Sequence, residues 1–563
     1  MAGFQFSYNI ARKETSNDNL GDSASKIYYK KEAICLSGSG YPDYPLISWC
    51  ENDFQILFEG IIYDSPEAEI KQKVQAFCAH QITKSQLQSW LHQRDGEFVL
   101  LIFNSLNQQL WLWNDIFGRL PVYLYQETGE LLIGRDIQQI RISSGSTLFD
   151  AFGLASTMLL GYALGEKSLW KGISYLPPGA LLKADFKANK LDISKAYAAY
   201  RFGAENPPKP EVWIESLSTA LENRLEKLPN AALSLSGGLD SRLIAALLKK
   251  MESNTPAFTY RDAEGSAAAD VRAVEQMIKQ LQWETQHKFV LLKENSLARM
   301  QQLMQIKQGL NYAGMAFLLP FLEYYAQQKH PMITGDGGDK LLADLRPLIH
   351  LGNQKQLLNY LLRQHGRLNL ETAAQWSGIS VKVLEAYLLA HLESYNENPN
   401  QAYSQFLLRE RARKWLFEGE DRNRAFCWTT TPFYGLPFAR QALDTKMSEK
   451  AFGKLFLQLF QQLPGNLEKI VNPNWQQPLS NQKAIQQLYH RQKIKQQLRT
   501  ISLLEKLFTS KQNTKPLYIV SESQLESMAD YGLKINPKDL INIKNVDLQI
   551  ELYGLALLAN FNS

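Results

Sequence analysis

The chain has 563 residues, 45% of them hydrophobic and 21% charged, with a formal net charge of +5. This length exceeds one hydrophobic core and predicts two or three domains. The balanced charge gives no nucleic-acid footprint, and the absence of an apolar run near ~20 residues gives no membrane span. Four cysteines, Cys35, Cys50, Cys78 and Cys427, are too scattered for a metal or redox pair and too few for a disulfide framework, which fits a reducing, cytoplasmic location.

In chain order, Phe54–Tyr63 and Glu97–Tyr125 read as strand-like runs rich in Ile, Leu, Val and aromatics, with a more helical stretch from Glu67 to His92 between them. The expectation is an α/β domain dominated by antiparallel sheet. Asp95-Gly96-Glu97-Phe98, then Asn114-Asp115-Ile116-Phe117-Gly118-Arg119 with Pro121 and Tyr123, resemble the "GDFAF…RDRFGxxPLYY" run of the glutaminase domain of asparagine synthetases. Gly161-Tyr162, Leu164-Gly165, Gly172-Ile173 and Leu176-Pro177-Pro178-Gly179 are similar to the segment that closes that domain. The resemblance implies the four-layer αββα fold of N-terminal nucleophile amidohydrolases over residues 1–200. Such glutaminases attack with a Cys at the mature N-terminus, whose free α-amine is the base. Here Met1 is followed by Ala2 and Gly3, the first Cys is Cys35, and Glu59-Gly60 stand where the family grips glutamine. The domain is therefore expected to be a scaffold that releases no ammonia.

Phe202–Pro210 carries three prolines and no apolar period, so 201–210 reads as a linker to a second domain at 211–480. After a helix at Trp213–Leu228 comes the most informative stretch, Ala231–Lys250. A short apolar strand breaks into Ser236-Gly237-Gly238-Leu239-Asp240-Ser241 and then into a helix. Adjacent glycines allow close backbone approach, and the helix start turns unpaired N–H groups and a positive dipole end toward the turn, which suits a phosphate. Neither a Walker lysine nor the dinucleotide spacing is present. The turn resembles the SGGxDS pyrophosphate loop of ATP pyrophosphatases, the group that includes asparagine synthetases. That resemblance implies ATP cleaved to AMP and pyrophosphate, with Leu235, Ser236, Gly237, Gly238, Asp240, Ser241, Thr259 and Gly335 at the nucleotide.

Strands at Pro256–Tyr260, Lys288–Leu292 and Pro331–Thr334, alternating with helices at Ala267–Leu281 and on to Tyr325, predict a doubly wound parallel sheet whose ligands sit at the strands' carboxyl ends. Gly335-Asp336-Gly337-Gly338-Asp339-Lys340 follows the last of these and resembles the family's "SGEGxDE" element, with Lys340 in place of Glu. Paired acids beside a phosphate loop point to Mg²⁺ on Asp240 and Asp339. Asp336 occupies a position that is Glu in asparagine synthetases and Tyr in β-lactam synthetases, as a base or amine-orienting group, or as a turn cap. Trp428-Thr429-Thr430-Thr431-Pro432-Phe433 looks like the β-lactam synthetase version of a family segment. The acids Glu418, Glu420 and Asp421 before it stand where the family keeps an acid at the amine, Glu420 being the first choice and a solvated helix end the bland alternative. Gly453-Lys454 resembles the family lysine that meets charge spreading from the α-phosphate.

Asn481–Lys511 reads as a basic helix with Arg491, Lys493, Lys495, Arg499 and Lys506, opening an extension over 481–563 whose last fifty residues look like mixed strand and helix. The expected activity is an ATP- and Mg²⁺-dependent, AMP-forming amide ligase that adenylates a carboxylate and closes it with a non-glutamine amine. Within the family this is the situation of lasso-peptide cyclases and β-lactam synthetases. A peptide macrolactam is the leading product, with a precursor-processing protein as a partner. Asparagine synthesis from free ammonia, a β-lactam-type cyclase and a non-catalytic ATP-binding protein are the alternatives.

Overall fold

A computed structural model describes residues 1–9, 26–31, 33–194, 207–262, 265, 267–292, 297–499, 528–535 and 545–561. The N-terminal strands are β1 (Gly3–Asn9), β2 (Lys26–Lys31), β3 (Ile34–Ser39), β4 (Leu46–Glu51), β5 (Phe54–Ile62), β6 (Gly96–Asn104), β7 (Gln109–Asn114), β8 (Tyr123–Glu127), β9 (Glu130–Gly134), β10 (Ile173–Tyr175), β11 (Leu181–Asp185) and β12 (Lys190–Ser194). They form two antiparallel sheets, β10-β8-β9-β1-β3-β2 and β12-β11-β7-β6-β5-β4. Helices α1 (Glu67–Cys78) and α2 (Lys84–Leu91) cover the outer face of the second sheet, and α3 (Ile137–Ser144) packs on β8 and β9, with α4 (Ala151–Leu160) following it. This is the expected αββα arrangement. The helical stretch of 67–92 is two helices, because the Thr83 hydroxyl caps a fresh start at α2.

Strand β6 shows why Glu97–Phe103 reads as continuous apolar sequence. Val99, Leu101 and Phe103 enter the core between the sheets, while Phe98, Leu100 and Ile102 enter the core under α1 and α2. A strand covered on both faces has no polar side to show.

Residues 201–206 of the expected linker lie outside the described residues. Helix α5 (Pro210–Lys227) starts at the last linker proline, whose missing N–H costs nothing at a helix start. Strand β13 (Ala232–Ser234), α6 (Leu239–Lys250), β14 (Ala257–Asp262), α7 (Ala268–Leu281), β15 (His287–Leu292), α8 (Leu297–Lys307), α9 (Leu319–Gln328), β16 (Met332–Ile333) and β17 (Thr429–Thr430) follow. The strands form one parallel sheet in the order β15-β14-β13-β16-β17. Its edge strand is the Trp428–Thr431 segment, read from sequence as a motif and not as a strand. With β13 central, the carboxyl ends of β13 and β16 are neighbours, and both glycine-rich turns open at one edge of the sheet.

Between β16 and β17 lies a helical insertion that includes a π-helix over Leu407–Phe417, an uncommon winding that recurs at functional sites. The basic helix spans Gln482–Arg499, and its expected continuation to Lys511 lies outside the described residues. The described part of the last fifty residues contains the helix Val546–Phe561 and no strand. No helix among the described residues is long and apolar enough to cross a membrane.

Candidate active site

The phosphate-type loop is held rigid by its own chain. The Ser236 N–H donates to Ser241 Oγ at 3.0 Å, and that hydroxyl donates back to the Ser236 carbonyl at 3.0 Å, so one helical turn closes on the loop. The buried Arg242 donates to the carbonyls of Gly237 at 2.7 Å and of Leu467 and Ile470 at 2.9 Å, tying the loop to the segment after Lys454. Burial lowers that guanidinium to about 10. Gly238 caps α6 without a side-chain hydrogen bond, which leaves first-turn amides for a ligand. Asp270, in the first turn of α7, accepts the Gly237 N–H at 2.9 Å.

Leu235 and Thr259 stand behind the loop. The buried Thr259 hydroxyl lies 2.7 Å from the Leu235 carbonyl, to which it donates, and 2.8 Å from His287 Nε2. Burial depresses the His287 ring to about 4, so it is neutral at physiological pH.

At the end of β16, Gly335 backs onto the Asp240–Ser241 backbone, and a Cβ on Gly338 would lie 2.6 Å from Asp240 Oδ1. Glycine at these positions lets the two turns touch. Burial, then the negative charge of Asp339, raises the Asp240 carboxyl well above its ordinary range. Asp339 is exposed and pairs with Lys340. Two hard-oxygen acids that penalise each other would suit a divalent cation. Among the described residues no group of three His, Cys, Asp or Glu forms a metal cage.

Asp336 opens into a cleft of about 120 Å³ lined by Leu310, Asn311, Tyr312, Trp415 and Arg422 among others. Burial, and then the charge of Glu420, lifts the Asp336 carboxyl to about 7. It is therefore an acid–base group near neutral pH. Burial lowers Arg422 to about 10 against the attraction of Asp336.

The acid cluster is neither solvated nor open to the cleft. Glu418, Glu420 and Asp421 are all buried. Glu418 pairs with Lys307 at 2.6 Å and accepts from Tyr123 Oη at 3.0 Å. Asp421 pairs with Lys307 at 2.5 Å and with Arg135. Glu420 Oε2 receives Arg119 at 2.6 Å and Arg424 at 3.3 Å. Arg119 also meets Glu97 at 2.7 Å, and Arg135 meets Glu59 at 3.0 Å. Glu59 takes the Phe4 N–H at 2.9 Å and Tyr44 Oη at 2.5 Å as well. The cluster is thus the joint between the two domains, and the groups this helix gives to the cleft are Gly419 and Arg422.

Lys454 is exposed at the first turn of Lys454–Gln461, while its neighbour Lys450 is buried, donates to the Ala442 carbonyl at 2.5 Å and is lowered to about 7 by burial. Sequence reading missed Arg422, Asn311, Trp415 and Asp270. The adjacent Asp421-Arg422 pair and an acid in the first turn of α7 were the available signals.

Cys35, Cys78 and Cys427 are not activated nucleophiles. Burial raises the thiols of Cys78 and Cys427 to about 12 and that of Cys35 above its ordinary value, and Cys50 Sγ donates to Gln55 at 3.0 Å.

A parallel sheet with paired glycine turns at its carboxyl edge, joined to an αββα domain, defines a nucleotide-dependent synthetase on an amidotransferase-like support. Comparison with known families agrees: residues 213–430 match asparagine synthase, and residues 42–198 match the glutamine amidotransferase domain. The chain thus carries an asparagine synthase domain after a glutamine amidotransferase domain, and the first of these indicates a carbon–nitrogen ligase. No curated protein matches the chain. Similar solved structures include NMN synthetase from Francisella tularensis, at 17% identity and TM-score 0.21 over 37% of this chain and 96% of that one. Glutamine phosphoribosylpyrophosphate amidotransferase from B. subtilis, complexed with ADP and GMP, is 9% identical at TM-score 0.19 over 53% of this chain and 64% of that one. An allosteric regulatory enzyme of purine biosynthesis is 10% identical at TM-score 0.21 over 69% and 85%.

Proposed function

We propose that this ligase adenylates a substrate carboxylate with ATP, releasing pyrophosphate, and closes the acyl-AMP with an amine that does not come from glutamine. The observation that carries this reading is the contact between the two turns: the loop at β13 meets the Asp336–Asp339 turn, whose first acid opens into the cleft. In this reading Ser236, Gly237 and the first-turn amides of α6 hold the phosphates. Asp240 and Asp339 hold Mg²⁺, which neutralises phosphate charge when bound. Lys454 is the cation for the leaving pyrophosphate.

The amine assignment is supported by the raised thiols of the buried or half-buried Cys35, Cys78 and Cys427 and by the Glu59–Arg135 pair that packs against Gly3 of β1. A peptide whose own N-terminal amine closes onto an Asp or Glu side chain is the substrate we favour. A second reading, a free amino acid with ammonia, is favoured by the small cleft volume, about 120 Å³. Pyrophosphate release measured with acidic peptides, with β-amino acids, and with aspartate plus ammonia separates the two. Release on peptides alone supports the first reading, and release only with ammonia overturns it.

Asp336 gives a pH signature. As the base it acts when ionised, so amide formation is expected to rise as pH climbs through about 7 and to level off above it. Asp336→Asn is expected to remove that rise and to slow amide formation by roughly 10²–10³-fold, leaving carboxylate-dependent ATP–pyrophosphate exchange in place. Equal loss of both steps would place Asp336 in adenylation instead.

A further inference from the structure

We infer that Asn311 and Asp336 together form a two-acceptor seat that selects a primary amine, an inference that rests on the ligase reading above. Asn311 lines the same cleft as Asp336 and is 5% exposed. Its Nδ2 donates to the Leu310 carbonyl at 3.2 Å, while its Oδ1 is buried with no hydrogen-bond partner. A buried carbonyl oxygen without a donor carries a desolvation cost that a ligand N–H removes.

The seat is held from behind. Gly309, at φ +78°, turns the chain against Leu169, Leu555 and Leu558. Tyr312 Oη donates to Asp547 at 2.8 Å, and Gly554 lets the C-terminal helix close on Ala313. Tyr312 stacks on Trp415 at 6.0 Å and 23°, and the Arg367 guanidinium lies 5.1 and 5.5 Å from those two rings while pairing with Glu551 at 3.1 Å. The helix Val546–Phe561, for which the sequence offered no role, thus packs behind Tyr312, which lines the cleft. Such support holds the backbone on both sides of Asn311 before any ligand arrives.

The chemistry follows from counting donors. A neutral primary amine has two N–H groups and one lone pair. One N–H is accepted by Asp336 and the other by Asn311 Oδ1, which leaves the lone pair for the acyl carbon. The C–N bond forms, the acyl C–O bond to AMP breaks with its electron pair leaving on the AMP phosphate oxygen, and the surplus amine proton passes to Asp336. A secondary amine has one N–H, so one of the two acceptors stays unpaired. Sites built around a buried polar group reject analogues that lack the matching donor.

The test uses the full chain with ATP at pH 8 and two fluorinated probes, 2,2,2-trifluoroethylamine and its N-methyl derivative, titrated by ¹⁹F NMR. The protein is expected to bind the primary amine at least roughly tenfold more tightly than the secondary one. Asn311→Ala is expected to reduce that ratio to about twofold or less, and Asn311→Asp, which keeps an acceptor, to retain it. Equal binding of both probes, no binding of either, or an unchanged ratio in Asn311→Ala overturns the inference. Loss of pyrophosphate release on every carboxylate would instead sink the ligase reading, because the amine ratio is measured without turnover.

Discussion

Asp240→Ala is expected to lower carboxylate-dependent ATP–pyrophosphate exchange by roughly 10²–10³-fold, the scale of losing one preorganised charge-stabilising group. Asp240 sits where the two turns touch, against Gly338 and near Asp339, and in our reading supplies half of the protein's hold on Mg²⁺. The same substitution is expected to leave the ligand-free fold as stable as before or more so. An acid whose folded pKa is raised costs stability above its unfolded value of about 3.9, because ionising it in place is harder than ionising it in water. A thermal scan without nucleotide and an exchange assay with it check both halves. A variant that unfolds, or that exchanges at the wild-type rate, would remove Asp240 from the nucleotide site.

The second large effect belongs to the joint between the domains. Asp421→Ala leaves Arg135 and Lys307 buried, with Glu59 and Glu418 as their remaining acids. Breaking a buried pair from one side costs about 3–5 kcal/mol, and urea unfolding measures it. Burial opposes ionisation of Asp421, but Arg135 and then Lys307 hold its carboxyl below the ordinary range. Its contribution is therefore present above pH ~4 and lost as pH falls through its folded value. The variant's deficit is expected at neutral pH and to shrink in acid. A deficit under about 1 kcal/mol at neutral pH would contradict the claim that this cluster joins the domains.

These two sites differ in how far the sequence exposes them. The phosphate loop is legible because its function depends on local geometry: a strand, two glycines and a helix start within twenty residues, and the structure reproduces each with its ends shifted by up to three residues. The antiparallel domain is legible for a similar reason, since covered strands announce themselves as apolar runs. The joint is not legible. Glu418–Asp421 reads as acids at the amine or as a solvated helix end, and only the fold reveals that its cations come from Arg119, Arg135 and Lys307, more than a hundred residues away. The cleft lies between these extremes. Asp336 follows from its turn, but Asn311 and Trp415 reach it from separate elements with no motif of their own. Thr429–Thr430, two residues long, is too short for a strand signal, and its pairing with Met332–Ile333 supplies what its sequence lacks.

The central claim is carboxylate adenylation, and oxygen tracing tests it most directly. With a carboxylate that supports turnover, doubly labelled with ¹⁸O and incubated with ATP, Mg²⁺ and amine, attack on the α-phosphate transfers one carboxylate oxygen to AMP. The account predicts AMP carrying a single ¹⁸O in proportion to amide formed, and no label in AMP from Asp240→Ala beyond its residual turnover. Unlabelled AMP, or ADP with labelled inorganic phosphate, would contradict it.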